Sequence, residues 1–464
     1  MLLLLVIPAA PLPMIAQSVT TSTDSTPPPP RRPKPLLAVG EVTGINIVVQ
    51  RMNWWLRHAD WADISLKTWS DNIRLGWEWD VDQFRTNMFG HPWGGGFFFN
   101  AGRDNGIGFW GSTPLTFLGS AEWEYFGENE RPSLNDLYNT AFGGIIFGEV
   151  GHRLSNIVRD NRARGFPRAM RELASIPLDP VGGLNRMIRG EAFRHADDGP
   201  LRDHTPLAVD LQGGVRLAVD SGPQHRSSWS GTMLIDIAYG SPFDKPFHEP
   251  FDVFHLRFQF SPAQGGINTT RILGRLYGRE LTDSAARLRN IFTVAQKFEY
   301  LAGPAYHFGG QSVETGFVSN WAATPHAHIQ SELYGEWLLL GGIESPGAGV
   351  RERDYDFGPG AGLNASASLL VSGATVLSAR WRFAYLHSVS GSPADYRISH
   401  ASIEGLLPIG HALGIGAYAG WYRQLSDYGP GKGLTYSYPE LRFYLAWRRG
   451  QWRHPLQNPA GNGP

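Results

Sequence analysis

From about Leu207 to Trp447, apolar and polar residues alternate along one segment of the chain after another. In residues 254–260 the apolar side chains occupy even positions, while His255, Arg257 and Gln259 occupy odd ones. Residues 329–339 repeat this pattern with Glu332 and Glu336 on the polar side. Because strand side chains alternate between two faces, each segment would have one apolar and one charged face. Apolar outer faces with a wet, charged interior are typical of a transmembrane β-barrel.

Turn signals divide this region into about twelve segments, most of them long enough to cross a membrane as tilted strands. The predicted strands are 207–219, 229–240, 252–261, 267–278, 290–301, 306–320, 327–340, 362–372, 375–388, 395–407, 411–424 and 435–447. The predicted fold class is therefore mainly β: a transmembrane antiparallel β-barrel of about 12 strands, preceded by a small Gly-rich α-helical subdomain.

Alternation alone also fits a soluble β-sandwich or a lipocalin-like barrel, whose apolar faces would point inward. Three features favour the membrane: Phe, Tyr and Trp are enriched on the apolar faces, the chain begins like a secreted protein, and it has no Cys. The net charge of −1 provides no general attraction for nucleic acid. Absence of Cys excludes disulfides, thiol catalysis and a lipid-modified cysteine.

The predicted organisation has six parts. Residues 1–17 resemble a signal peptide of a Gram-negative envelope protein, and residues 18–38 form a disordered Pro-rich linker. Residues 39–84 are a Trp-rich lead-in, 85–206 the helical subdomain, 207–447 the barrel and 448–464 a C-terminal tail. The aromatic-rich last strand is similar to the signal read by barrel assembly machinery, although here a tail follows it.

Charges of both signs occur on the predicted inner faces, including Lys297, Glu336, Arg380, Arg382 and Arg442. Rings of one sign would indicate an ion-selective pore. A mixed set favours salt bridges across the lumen or a filled lumen. Arg380 and Arg382 are candidate ligand-binding residues.

Helix signals dominate the preceding segment. Pro92 and Pro114 suit first-turn positions, and Ser133 with Asp136 forms a capping box that opens a helix through about Val158. Gly144 and Gly148, four residues apart, would allow a neighbouring element to approach closely. Further helices are predicted over 168–175 and 183–189. The alternation in 74–82 predicts a strand.

Polar residues and glycines recur at set spacing within 80–190: Asn87, Gly90-His91-Pro92, Arg103, Gly106, Ser112, Ser120, Trp123-Glu124, Glu128, Pro132-Ser133, Asn135-Asp136, Gly143-Gly144, Gly148-Glu149, Asp179-Pro180, Gly183 and Asn185-Arg186. With these residues the segment resembles a bacterial family described as domain of unknown function 3943. This resemblance implies an outer-membrane-associated protein without an assigned activity.

The same residues provide a candidate catalytic site: His91, Glu124, Glu128, Ser133 and Asp136. Glu124 and Glu128 share one helix face at i, i+4, and with His91 they could perform acid–base chemistry or hold a divalent ion; His152 would be a further ligand. Arg103 and Asn87 are candidate ligand-binding residues. Without a His-Glu-x-x-His motif no metal is predicted, and any cofactor is unknown.

Each candidate also has a structural interpretation. Capping alone explains Ser133 and Asp136, and Glu149 with Arg153 forms an ordinary i, i+4 ion pair. Glu124 and Glu128 could pair with Arg103 or with a barrel arginine such as Arg380. A structural polar network is favoured over a catalytic site.

The leading functional expectation is an integral outer-membrane barrel, structural or handling a lipid or small solute, with the helical subdomain packed in or below the lumen and otherwise periplasmic. The alternatives are an outer-membrane hydrolase acting on lipid or peptidoglycan through His91, Glu124 and Glu128, and a soluble secreted binding module. Expected partners are the bilayer, barrel assembly machinery and a lipid or small-molecule ligand, but no nucleic acid.

Overall fold

The computed structural model describes residues 32–195, 205–219, 227–262, 266–303, 306–344, 347–348, 353–409 and 412–449. Seven α-helices come first: α1 (Pro35–Met52), α2 (Leu66–Leu75), α3 (His91–Asp104), α4 (Phe109–Phe126), α5 (Leu134–Val158), α6 (Gly165–Ser175) and α7 (Pro180–Ile188). We refer to residues 32–195 as the helical unit. The predicted signal peptide, most of the Pro-rich linker and most of the C-terminal tail lie outside the described residues.

Twelve strands follow: β1 (Leu207–Val219), β2 (Ser227–Tyr239), β3 (Phe254–Ser261), β4 (Gly266–Glu280), β5 (Leu288–Ala302), β6 (His307–Thr324), β7 (Ala327–Glu344), β8 (Tyr355–Val371), β9 (Ala374–His387), β10 (Asp395–Pro408), β11 (Leu413–Asp427) and β12 (Gly433–Arg449). Each strand pairs antiparallel with the next, and β12 closes on β1. The predicted barrel and its strand number are confirmed.

The two faces of the wall are assigned by contacts that cross the barrel. Arg257 on β3 and Glu404 on β10 form an ion pair of 2.7 Å, although these strands are not neighbours. Such a contact is possible only through the lumen. The residues that alternate with these lumenal side chains along each strand point outward. On β12, the outward-facing Leu441, Phe443 and Leu445 are 42–63% exposed. A soluble lipocalin-like barrel would have the opposite distribution, with its apolar side chains inside.

The barrel has two distinct rims. We call the end where β1 begins and β12 ends the terminal rim, and the opposite end the distal rim. The β8–β9 turn around Ser372 and Gly373 lies on the terminal rim, and both residues have positive φ. Gly373, at φ 81°, provides the left-handed conformation that this tight turn requires.

Two sequence predictions about the helical unit are wrong. Residues 74–82 do not form a strand, because α2 extends through Leu75 and only an isolated bridge from Glu78 to Ser133 follows. Pro114 lies inside α4 rather than in its first turn. In contrast, Pro92 occupies the first turn of α3 as predicted.

Close packing of α3 on α5 organises the helical unit. A Cβ on Gly144 of α5 would lie 2.5 Å from the carbonyl carbon of Gly95 on α3. At Gly96 a Cβ would come within 3.1 Å of the backbone nitrogen of Gly148. The two backbones are therefore in contact, which confirms the predicted role of the Gly144 and Gly148 pair.

The helical unit packs against the outer wall of the barrel. Phe89 and Phe147 contact Phe298 on β5, with ring centroids 6.3 and 4.9 Å apart. Phe298 alternates with the lumenal residues Lys297 and Glu299, so it points outward and is fully buried beneath the helices. The expectation that this unit lies in or below the lumen is wrong, because its apolar side chains complete the outward apolar face of the wall.

Further contacts extend this interface around the barrel. Near β2 and β3, Arg153 reaches Tyr239 at 3.3 Å, and Phe109 stacks on Phe251. At the distal rim, Asn87 donates to the Tyr355 hydroxyl at 2.5 Å, and Trp79 contacts Phe357. The interface therefore crosses the wall from the terminal rim at β2 to the distal rim at β8. Within the described residues, no helix is long and apolar enough to cross a membrane by itself.

Candidate functional site

A buried carboxyl cluster forms where α4, α5 and the start of α3 meet. Glu124 accepts a 2.7 Å hydrogen bond from the backbone N–H of Ser133. The Ser133 hydroxyl accepts from the backbone N–H of Asp136 at 3.3 Å, which caps α5. His91 Nε2 lies 3.5 Å from Asp136 Oδ1. The structure thus brings together His91, Glu124, Ser133 and Asp136.

Glu128 and the loop before α3 complete this cluster. Glu128 accepts from the indole N–H of Trp123 at 3.2 Å. Asn135 donates to Asp136 at 2.8 Å and accepts from the backbone N–H of Asp80 at 2.9 Å. Within the described residues, no arginine or lysine lies within ion-pair distance of Glu124, Glu128 or Asp136.

Burial without a cation controls the protonation of these groups. Desolvation raises the pKa of Glu124 to about 8 and the pKa of Asp136 and Glu128 well above the ordinary carboxyl range. Desolvation also lowers the pKa of His91 to about 4. At neutral pH the cluster therefore consists of protonated carboxylic acids beside a neutral imidazole, a set that can exchange protons.

The other predicted site residues have different partners. Arg103 forms a 2.9 Å ion pair with Glu149, which also binds Arg153 at 2.7 Å. The predicted Glu149–Arg153 pair is confirmed, whereas pairing of Glu124 or Glu128 with Arg103 or Arg380 is wrong. Asn87 donates to Asp80 at 3.1 Å, beside its bond to Tyr355, and so helps to attach the cluster to the barrel.

A second polar group, which sequence reasoning did not assemble, contains Asp104, His152 and Asp179. Their potential ligand atoms lie within 4.8 Å of one another. Asp179 is already committed, since it caps α7 through the N–H of Gly182 at 2.9 Å and pairs with Arg159 at 3.1 Å. The arrangement favours a structural role, and His152 belongs here rather than beside His91.

The lumen contains a third polar group, in which charges compensate one another. Lys297 lies 3.0 Å from Glu314 and 2.8 Å from Glu336. Arg382 bridges Glu299 at 2.8 Å and Glu336 at 3.3 Å. These contacts join strands β5, β6, β7 and β9, and they confirm the prediction of salt bridges across the lumen.

Aromatic and aliphatic side chains fill the lumen between this network and the distal rim. Phe308, Leu386, Tyr396 and Tyr438 have no solvent exposure, and the Tyr422 and Tyr438 rings stack with centroids 4.5 Å apart. All belong to one buried cluster of inward-facing residues. Towards the distal rim, the lumen is a packed core rather than a channel.

The other half of the lumen is hollow. A cavity of about 870 Å³ reaches the terminal rim, where the β8–β9 turn and Arg449 border it. Six arginines and four carboxylates line this cavity. The predicted ligand residue Arg380 faces it, whereas Arg382 is held in the salt-bridge network.

A closed antiparallel barrel with apolar residues outside and charges inside is a transmembrane barrel of the outer-membrane type. The protein is thus an integral outer-membrane β-barrel carrying a helical unit. Residues 76–181 match the family model described as Domain of unknown function (DUF3943), which confirms the resemblance seen in the sequence. No curated protein matches this chain significantly.

Several solved structures, among them two porins and one outer membrane protein, are similar to about half of this chain. A NanC porin is 10% identical, with a TM-score of 0.25, over 52% of this chain and 98% of that chain. An anion-selective porin from Comamonas acidovorans is 7% identical, with a TM-score of 0.21, over 53% and 100%. OmpT, an outer membrane protein of Vibrio cholerae, is 8% identical, with a TM-score of 0.20, over 52% and 98%. The outer-membrane class of this barrel rests on its closed strand order and on the opposite chemistry of its two faces.

Proposed function

We propose that this barrel is a non-conducting membrane support for the helical unit, and that the helical unit acts on or with envelope lipids beside the barrel wall. The position of the helical unit on the outer wall is the observation that carries the proposal. A barrel whose function was solute passage would need an open lumen, whereas lipid handling requires surface in the hydrocarbon layer.

Lumenal packing supports the first half of this proposal. The Lys297–Glu336–Arg382 network joins walls that an open pore would keep apart. Beyond it, the buried cluster containing Phe308 and Tyr438 leaves no solvent-exposed path through those side chains. Ion passage through the distal half of the lumen would require the side chains of this cluster to separate.

The surface of the helical unit supports the second half. Part of its surface is apolar, with Ile47, Leu56, Trp110 and Ile188 more than half exposed. Several of its polar residues point inward, and Glu149 is fully buried. Because the outer wall of a membrane barrel faces lipid, a unit packed on that wall encounters the same hydrocarbon. Burial of polar groups beneath an apolar surface suits this environment.

Planar-bilayer recordings of the full-length protein test the closed lumen. We expect no stepwise conductance, and we expect none after deletion of residues 85–190, provided that the barrel still shows heat-modifiable migration. Triple substitution of Phe308, Leu386 and Tyr438 by Ala should create conductance, which is the positive control. Stable channels in the parent protein, or channels that appear only on deletion of the helical residues, would contradict the proposal.

Lipid contact is tested with single spin labels, because the chain has no native Cys. Labels at Ile47, Trp110 or Ile188 should be more accessible to oxygen than to a water-soluble nickel reagent. A label at the exposed Lys67 of α2, on a charged face with Asp71, is the comparison site. Equal nickel access at all four positions would exclude lipid contact.

An enzymatic role for the helical unit is the second candidate. The carboxyl cluster with His91 favours it, since strongly perturbed acids and bases concentrate at functional sites. Hydrolysis of a lipid or peptidoglycan bond would use one protonated carboxyl as acid and His91 as base. His91→Gln should then abolish turnover while heat-modifiable migration is retained. Loss of the folded barrel in this variant would instead indicate a structural role.

The same proposal includes how the protein is exported, inserted and oriented in the outer membrane. We infer that barrel assembly machinery inserts the protein through its aromatic-rich strand β12. We also infer that the terminal rim, where the helical unit joins β1, faces the periplasm, and that the chain is exported by its N-terminal segment.

A further inference from the structure

Two arginines in the lumenal cavity are not held in ion pairs, unlike most of the other lumenal charges. Arg271 on β4 and Arg380 on β9 both line the cavity of about 870 Å³. In the described part of the chain, no carboxylate lies within 4.0 Å of either guanidinium, whereas Arg257 binds Asp236 at 3.0 Å and Glu404 at 2.7 Å.

The carboxylates that line the cavity are largely committed to other partners. Asp236 is bound by His255 and Arg257, and Asp210 is held by Arg448 at 2.7 Å. Glu332 accepts from the Ser366 hydroxyl at 3.2 Å. Arg271 and Arg380 therefore lie at the inner end of the cavity without an ion-pair partner among the described residues, and Glu332 in the same cavity has no described cation bound to it.

Their place at the inner end follows from a second, smaller cavity of about 70 Å³. Arg271 and Arg380 line this space as well, together with Glu299 and Arg382 of the salt-bridge network. Arg271 also lies directly opposite Arg257 in the β3–β4 pairing. Like charges in directly opposite positions repel, and an anion beside them would remove that cost.

We propose that Arg271 and Arg380 form a binding site for a small oxyanion, a molecule bearing phosphate or carboxylate groups, at the inner end of the lumenal cavity. Planar guanidinium groups bind both groups through paired N–H donors. The cavity volume suits a ligand of small-molecule size. Entry is from the terminal rim, because the distal half of the lumen is packed. The site is separate from the helical unit and does not depend on its proposed role.

Calorimetry with inorganic pyrophosphate tests the site on the full-length protein in a zwitterionic detergent at low salt. Binding should be saturable in the parent protein. Arg271→Gln or Arg380→Gln should weaken it at least tenfold, and the double variant should abolish it. Glu332→Gln, which removes a nearby negative charge, should strengthen binding severalfold. Heat-modifiable migration checks that each variant is folded.

Arg397→Gln is the matched control, because Arg397 is an exposed arginine next to the lumenal Ile398 on β10. This variant should bind as the parent does. If the double Gln variant does not fold, Arg271→Lys with Arg380→Lys keeps the charge but removes the paired donors, and should still weaken binding severalfold. Absence of binding in the parent at millimolar pyrophosphate, or unchanged binding in the folded double variant, would overturn the proposal.

Short-chain phosphatidic acid distinguishes the two sources of such an anion. Competition between it and pyrophosphate, with much tighter binding of the lipid, would identify a lipid headgroup as the ligand. Tighter binding of pyrophosphate would identify a soluble anion. Both ligands would bind through the same two arginines. The Arg271→Gln, Arg380→Gln variant should therefore lose binding of pyrophosphate and of phosphatidic acid alike.

Discussion

The barrel lumen and the carboxyl cluster of the helical unit both bury polar groups, but they do so by different means. In the lumen, Lys297 and Arg382 neutralise glutamates on neighbouring and facing strands. In the helical unit, Glu124 and Asp136 have no described cation within reach and are bound by backbone and amide groups. Charge pairing preserves ionised groups, whereas burial without a cation favours their protonated forms. The two regions should therefore respond differently to pH and to substitution.

The largest expected effect is the pH response of the helical unit. The pKa of Glu124 is raised to about 8 in the folded protein from an ordinary value near 4.5, so the folded state binds the extra proton between these pH values. The contribution of this group to stability is therefore greatest at low pH and falls as pH rises towards 8, by about 5 kcal/mol. In thermal unfolding followed by tryptophan fluorescence, Glu124→Gln should not show the part of the pH-dependent loss of stability that Glu124 causes.

Comparison at pH 4.5 supplies the internal control for that experiment. There the parent and Glu124→Gln should unfold at nearly the same temperature, because both side chains are neutral. A parent protein that gains stability between pH 5 and 8 relative to Glu124→Gln would show that this carboxyl is ionised in the folded state.

Loss of a lumenal cation should be the next largest effect. Lys297→Met leaves Glu314 and Glu336 with less compensation in a buried network, which should cost about 3–5 kcal/mol in urea unfolding. Lys67→Met is the matched control, since Lys67 is 86% exposed and pairs with Asp71 at 3.2 Å. This control should change stability by less than about 1 kcal/mol. Equal losses in the two variants would show that the lumenal pairing is no stronger than a surface pair.

Disrupting the contact between α3 and α5 should have an intermediate effect on stability. Gly144→Ala places a methyl group against the Gly95 backbone and should cost about 1–3 kcal/mol. Gly94→Ala in α3 has nothing within 4 Å of the added carbon and should be neutral or slightly stabilising. The difference between the two unfolding midpoints measures the contact. Midpoints that move together would mean that α3 and α5 are not in backbone contact.

The smallest expected effect concerns the cap of α5. Ser133→Ala removes the hydroxyl that accepts from the Asp136 N–H and should cost about 1 kcal/mol, measured by chemical unfolding. Ser133→Thr retains an acceptor and should lose less. If Ser133→Ala abolishes a measured turnover without this modest loss of stability, Ser133 acts in chemistry rather than as a cap.

Sequence patterns predicted the barrel well because its signals are local. The two-residue alternation in 254–260 depends only on which side of each strand faces lipid. The cap at Ser133 and the ion pair of Glu149 with Arg153 span three and four residues, so they too are visible in the sequence. The prediction for Pro114 was wrong because the start of α4 depends on how this helix packs rather than on the proline alone.

The sequence by itself determined the transmembrane strands, their inner and outer faces, and the helical character of residues 134–158. Only the tertiary structure decided that the helices cover the outer wall, that the distal lumen is packed, and that Arg380 faces a cavity while Arg382 is paired. Outward-facing Phe298 has the same sequence signature whether lipid or a helix covers it, because both present hydrocarbon to the ring. The choice between them depends on contacts between residues more than a hundred positions apart.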